Sequence, residues 1–210
     1  MMFEEVEIAA LRDAVKTKMS EKRFIHTLGV ERMARRLGEF ILPDKISELA
    51  AAALLHDIAK EIPYDEQVRL LAASSVKYTH EDTDTKPALH SIAALPVIER
   101  DFPSYATENI MSAVANHTLG QAEMSVFDEI IFISDYAEAG RSYSSCKQVR
   151  EYLINNINST NTYEENIFSL HKAVLDSINF TVSSLTQRGD KIHTQTIITK
   201  THFEELLKNS

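Results

Sequence analysis

Apolar residues recur at helical spacing over most of the chain. The pattern predicts a first helix over about 4–18 and a second over about 21–40, with a stripe of Val30, Met33, Ala34, Leu37 and Ile41. A third opens after Pro43-Asp44, carries Ile46, Leu49, Ala50, Ala53 and Leu54, and runs to Ile62-Pro63. A short helix over about 64–73 follows. Residues 75–86 are polar and aperiodic and read as a loop. Further helices fit about 87–101, 104–117, 124–139, 145–157 and 163–187, with a polar break at 158–162. After Arg188 the character changes. Gly189-Asp190 signals a turn, and IHTQTIITKT is rich in β-branched residues, so it reads as extended or irregular ahead of a short helix near 203–208. The expectation is an all-α helical bundle with a short irregular C-terminal segment. With no repeat and no linker, residues 1–210 read as one domain: a core over about 18–145 and a helical extension and tail over about 145–210.

Composition sharpens this picture. Five glycines and five prolines in 210 residues are under half the usual share, which favours long helices over a turn-rich β fold. The net charge of −9, from 22 Lys+Arg against 31 Asp+Glu, argues against a general nucleic-acid platform. No apolar stretch approaches the roughly 20 residues of a membrane span, and the acidic N-terminal stretch lacks the basic start of a signal peptide. The single cysteine, Cys146, leaves no internal disulfide and no Cys-based zinc site, and suits a reducing cytoplasm. A cytoplasmic protein without a nucleic-acid or membrane partner is therefore expected.

The candidate chemistry lies where ionisable side chains fall on apolar stripes. His26 is in line with Val30, Met33 and Leu37, and Asp57 continues Ile46, Ala50 and Ala53 with His56 beside it. His90 precedes Ala94 and Val97, His117 closes the line of Ile110, Ala113 and Val114, and Asp135 follows Phe127 and Ile131. Burying such groups unpaired costs several kcal/mol. One metal ion would satisfy all of them, and imidazole with carboxylate suits Fe, Mn, Zn or Ni. A lone histidine on a seam is more often a hydrogen-bonded core residue, and His171, in line with Val174, Leu175 and Ile178, reads that way. His80 and His202 do not read as ligands. The adjacent pair His56-Asp57 is the specific element. Neighbours on a helix point about 100° apart and can still converge on an ion between them.

The order His26, His56-Asp57, Asp135, with the run HDIAK, resembles the HD-domain metal-dependent phosphohydrolases. The flanking runs RFIHTLGVERMA, AALLHDIAKEIP, ALHSIAALPV, ANHTLG, MSVFDEIIFISDYAEAGRSY and RGDKIHTQT resemble, more narrowly, the YqeK family of bacterial symmetrical diadenosine tetraphosphate (Ap4A) hydrolases. The likeness spans about 10–205. It implies an all-α fold and a metal held by His26, His56, Asp57 and Asp135. Iron is the metal commonly implied, as one ion or two, with Mn, Co, Ni or Zn as alternatives. It implies that Asp57, Lys60, His90 and His117 act in catalysis. It further implies that Thr118, Arg141 and the segment Ile192, His193, Thr194, Gln195 and Thr196 line the nucleotide pocket together with His26, Asp57, Lys60, His90 and His117. The implied ligand is a dinucleoside polyphosphate or an ADP-like nucleotide, and a homodimer is left open. Three departures from the family pattern are Ser91-Ile92, Leu119 and Ala139. They leave every implied ligand in place and bear on substrate preference.

The chemistry is consistent with that resemblance. A metal lowers the pKa of bound water and polarises a phosphoryl oxygen. Asp57 would orient the water or take its proton. Lys60 and Arg141 would hold phosphates, the arginine in bidentate fashion. His90 and His117, if protonated, would stabilise the leaving group. Bland readings stand beside these: Lys60 as a helix-terminal cation, Arg141 as a helix C-terminal residue, and Arg32, Arg35 and Arg36 as a solvated face. Arg23, three residues before His26, is within reach of the site, with solvated surface the commoner reading. Two other functions stay open. One is an HD phosphohydrolase of another nucleotide, a deoxynucleoside monophosphate or a cyclic nucleotide. The other is a non-catalytic, metal-loaded nucleotide sensor.

Overall fold

The computed structural model describes residues 3–209. Its elements are α1 (Glu5–Lys16), α2 (Glu21–Ile41), α3 (Ile46–Leu55), α4 (Tyr64–Ala72), α5 (His80–Asp84), α6 (Leu89–Asp101), α7 (Glu108–Asn116), α8 (Val126–Ala137), α9 (Ser144–Asn156), α10 (Tyr163–Arg188) and α11 (Thr194–Lys208), with 3-10 turns at Pro43–Lys45 and Pro103–Tyr105. No strand occurs among the described residues. None of their helices is long and apolar enough to cross a membrane.

α3 is the axle of the bundle. Every residue from Ser47 to Leu55 is buried, as expected for a helix that is apolar all round. It packs on α1, α2, α7 and α8, while α6 bridges α4 and α7. The long α10 packs against α2, α8, α9 and α11. Polar caps fix where several helices begin. Thr79, Ser125 and Thr162 each form a reciprocal capping box, with Asp82, Asp128 and Glu165. Gly189 ends α10 in the left-handed region at φ 72°.

Three segments differ from the periodicity reading. The third helix stops at Leu55, and residues 56–62 continue as tighter turns: Ile58 N–H bonds Leu55 O, Lys60 N–H bonds Asp57 O, and Ile62 N–H bonds Ala59 O. The polar stretch 75–86 contains α5, which the Thr79–Asp82 box makes possible. The largest departure is α11, a 15-residue helix where β-branched residues predict extended chain. Helix propensity costs only tenths of a kcal/mol per β-branched residue. Burial of Thr196, Thr199 and Phe203 at i, i+3 and i+7 outweighs it. Gly120, at φ 70°, lets this helix close on the end of α7: a Cβ there would lie 2.6 Å from Thr199 Cγ2.

Candidate functional site

Helix ends deliver the seam residues to one place. His26 comes from the second turn of α2, His56 and Asp57 from the tight turns after α3, and His90 from the first turn of α6. His117 follows α7, and Asp135 lies in the last turn of α8. Asp57 is the hub. Its Oδ2 lies 2.6 Å from Arg23 Nη1, 3.4 Å from His56 Nε2 and 3.7 Å from His26 Nε2. Its Oδ1 lies 3.1 Å from His90 Nε2 and 3.6 Å from His117 Nε2. Asp135 Oδ1 lies 2.9 Å from His26 Nε2 and 3.9 Å from His56 Nε2, and pairs with Arg141 Nη2.

Each imidazole is aimed by its other nitrogen. Nδ1 of His56 donates to Ala53 O at 2.7 Å, that of His117 to Val114 O at 2.7 Å, and that of His90 to Pro87 O at 3.0 Å. These carbonyls lie three residues earlier, and in α3 and α7 they are among the acceptors left over at a helix C-terminus. Nδ1 of His26 instead meets Glu138 Oε1 at 3.2 Å. The Nε2 atoms of His56, His90 and His117 therefore face inward as acceptors, the arrangement seen when metal-bound histidines are oriented by a second layer of hydrogen bonds.

The donor set fits a cation. Nε2 of His56 is buried without a hydrogen-bond partner, and Nε2 of His26 faces the carboxylates of Asp135 and Asp57. Nε2 of His90 and His117 face each other at 3.0 Å, where two lone pairs repel unless a proton or a cation lies near. Three groups each bring their ligand atoms within 4.8 Å of one another: His26, His56 and Asp57; His56, His117 and Asp135; Asp57, His90 and His117.

Electrostatics are split within the cluster. Burial opposes ionisation of Asp57, but His56, His117 and His90 outweigh it and hold the carboxyl well below the usual range. Burial likewise opposes ionisation of Asp135, and His26, Arg141 and His56 hold it well below. Burial would lower His26, yet Asp135 and Glu138 raise it to about 9. Burial pushes His90 down to about 4 against the pull of Asp57. Burial thus favours the neutral form of this ring at neutral pH.

Lys60 is not a surface cap. It lies beyond the end of α3, and its Nζ is 3.2 Å from both ring nitrogens of His90. Burial lowers its pKa, against the attraction of Asp57 and Asp135. With His117, Thr118, Asp135, Arg141 and Arg188 it lines a cleft of about 390 Å³. Thr118 and Arg188 also line an adjoining cavity of about 430 Å³, together with His193 and Thr196. The rest of the C-terminal set is placed differently. Thr194 and Gln195 line a further cavity with Ser91 and Leu95, which shares His193 and Leu119 with the adjoining one, and Ile192 lines none of the three. His193 also caps α11 and lies 3.2 Å from Asp82 Oδ1. At the departures, Ser91 Oγ bonds Ala88 O, Leu119 O accepts from Thr199, and Ala139 is exposed.

Arg188 and Glu138 were not legible as site residues, and Arg23 only weakly. Arg23 is not solvated surface: it pairs with the buried carboxylate of Asp57. Arg188 enters the cleft because α10 packs along α8. Glu138 is wedged between Gly29 and Gly140, where an added Cβ would collide with its carboxylate. Two of only five glycines spent on one carboxylate was the available signal, visible once α2 and α8 are known to touch.

Residues 23–140 match the HD domain family. The chain belongs to the HD-domain family. HD domains bind divalent metals, and the histidine and aspartate groups above could hold one. Among curated proteins, this HD-domain chain is 28% identical over 187 residues to the symmetrical bis(5'-nucleosyl)-tetraphosphatase of Bacillus subtilis (strain 168), covering 88% of this chain and 91% of that one. It is 26% identical over 200 residues to the protein of the same name from Staphylococcus aureus (strain NCTC 8325 / PS 47), covering 91% and 92%. Among solved structures, a predicted HD superfamily hydrolase involved in NAD metabolism from Clostridium acetobutylicum superposes with a TM-score of 0.79 at 25% identity, covering 98% of this chain and 100% of that one.

Proposed function

We propose that this chain is a metal-dependent hydrolase that cuts dinucleoside tetraphosphates symmetrically, turning Ap4A into two ADP. The supporting relatives carry that activity in their names and align over about nine-tenths of both chains. The observation that carries the reading is the juxtaposition of an inward-facing His/Asp cluster with a cleft whose cations are Lys60, Arg141 and Arg188. His26, His56, Asp57 and Asp135 would hold the metal, with iron as the proposed ion, and His90 and His117 complete the opposite face of Asp57. When bound, the metal lowers the pKa of water and polarises the phosphoryl oxygen.

The chain's own residues do the rest. Asp57, ionised at neutral pH, accepts a hydrogen bond from the attacking water and fixes its direction. In the net reaction, water oxygen joins one of the two central phosphorus atoms and the bridging oxygen leaves with the other ADP. Lys60 Nζ and the Arg141 guanidinium neutralise the charge that develops on that oxygen, by charge-assisted hydrogen bonds. His90, held neutral with its Nδ1–H on Pro87 O, accepts a single hydrogen bond at Nε2 and adds no charge. Thr118, whose Oγ1 lies 3.3 Å from His90 Nε2, extends this hydrogen-bonding edge into the cleft. His193 and Thr196 line the nucleoside end. A reducing cytoplasm suits the single Cys146, which is buried and unpaired.

The test couples metal analysis of anaerobically purified protein to product identification from Ap4A. Two ADP per Ap4A, at a rate that follows metal content, is the expected result. AMP plus ATP would overturn the symmetrical assignment. Turnover of a deoxynucleoside monophosphate or a cyclic nucleotide in preference to Ap4A would favour the other phosphohydrolase reading.

A further inference from the structure

The cluster opens on a second side. α2 presents Lys22, Ile25, Gly29 and Arg32 at i, i+3, i+7 and i+10, which is one face of a helix. Lys22, Ile25 and Arg32 line a cavity of about 650 Å³ with Tyr143, well within the roughly 300–1,000 Å³ of small-ligand sites. Arg23 and His26 belong to the same lining, so the cavity reaches the metal-ligand cluster. Arg141 and Tyr143 line both this cavity and the Lys60 cleft, and so form a shared wall.

The charge of this cavity is unlike that of the chain. Lys22, Arg23, Arg32 and Arg141 line it against two carboxylates, Glu61 and Glu138, in a protein of net charge −9. Both carboxylates are already engaged, Glu61 by Ser20 and Glu138 by His26 and Gly140. Among the described residues neither Lys22 nor Arg32 forms an ion pair. Arg35, on the neighbouring face, differs: it is bound by Glu5 and Glu31. The rim is apolar as well as cationic, since Ile25 is 58% exposed and Tyr143 71% exposed. Cations interleaved with an exposed aromatic ring suit phosphates carrying a base that stacks.

A reaction that cuts the central bond of a four-phosphate bridge must hold that centre at the reacting groups. Each nucleoside diphosphate half then extends away from it, one of them along the Lys60 cleft. We infer that the Lys22–Arg32 cavity is the second subsite, taking the other nucleoside diphosphate half with Lys22 and Arg32 on its phosphates and Ile25 and Tyr143 against its base. This rests on the tetraphosphatase reading.

The experiment counts ADP sites on the metal-loaded full chain by calorimetric titration and measures Ap4A kinetics beside it. The wild-type chain is expected to bind two ADP. Lys22→Ala/Arg32→Ala, two exposed changes checked by an unaltered melting temperature, should bind one ADP and raise KM for Ap4A about tenfold. Ile25→Asp should do the same by repelling the base and phosphates. A single ADP site in the wild-type chain, or an unchanged KM in both variants, would overturn the inference. Two ADP sites falling to one, with no cleavage of Ap4A by the wild-type chain, would sink the tetraphosphatase reading and leave the second nucleotide site standing.

Discussion

Glu138 holds His26 in place: its Oε1 sits 3.2 Å from the imidazole Nδ1, and its other oxygen accepts from Gly140 N–H. Arg150 Nη1 donates to Glu138 O at 2.8 Å and to Ala137 O at 3.2 Å, which closes the end of α8 around this carboxylate. Outer partners of this kind are worth roughly 10- to 100-fold in metal affinity. Glu138→Gln should lower metal affinity by about that factor while the fold persists, read by competition with a chelator. Gly29→Ala should act similarly, because its methyl group would displace the same carboxylate. Wild-type affinity in both variants would show that His26 does not need this support.

Asp57 and His171 separate a ligand from a structural partner. Asp57→Ala should lose both bound metal and turnover, because Asp57 sits between all four imidazoles. His171 pairs with the buried Glu129 at 2.8 Å. His171→Ala should keep metal and activity but lose about 1.5–3 kcal/mol of stability, the cost of stranding a charged partner. Full metal occupancy in Asp57→Ala would refute the ligand assignment.

Removing the cleft cations should cost transition-state stabilisation with the metal retained. Lys60→Ala and Arg141→Ala each remove a charge-assisted donor, worth about 1.5–3 kcal/mol, or roughly 10- to 150-fold in kcat/KM. Arg141 also bonds Asp135 O at 3.0 Å, so its loss should loosen the metal more than loss of Lys60 does. Equal metal content and unchanged kinetics in Lys60→Ala would remove Lys60 from the mechanism.

Burial raises the pKa of Glu129 above its ordinary 4.5, with His171 opposing that shift. A raised carboxyl keeps its proton longer in the folded chain than in the unfolded one. Its contribution to stability is therefore present below about pH 4.5 and is lost as pH rises through the raised value. Glu129→Gln should flatten this fall. Melting temperatures of wild type and variant, compared from pH 4 to 7, should converge toward the acid end and diverge above it. Parallel curves would be incompatible with a titrating, desolvated Glu129.

The seam histidines were legible because helical period and burial penalty act on the same positions. His56, Asp57, His90 and His117 are all nearly inaccessible, as their place among apolar residues implied. Arg23 was only weakly legible and Glu138 not at all, since their partners lie 34 and 112 residues away and their own surroundings in the sequence are polar. α11 was misread for a different reason. Its stripe is built from Thr196 and Thr199 as well as Phe203, and threonine counts as polar and β-branched until a tertiary surface covers it. Lys60 and Arg141 were marked by the family resemblance alone. Nothing in local periodicity shows that the chain after Leu55 turns back toward α6.

The i−3 carbonyl bonds of His56, His90 and His117 have a consequence for how the centre comes together. The bearing of each of these rings is set by a hydrogen bond within a four-residue stretch. Long-range packing has only to fix the spacing between ready-made parts. Core substitutions around α3 should therefore shift rings as rigid pieces and weaken binding in graded steps. Changes at the histidines themselves should abolish it outright. Bearing and spacing are thus separately mutable properties of the same centre.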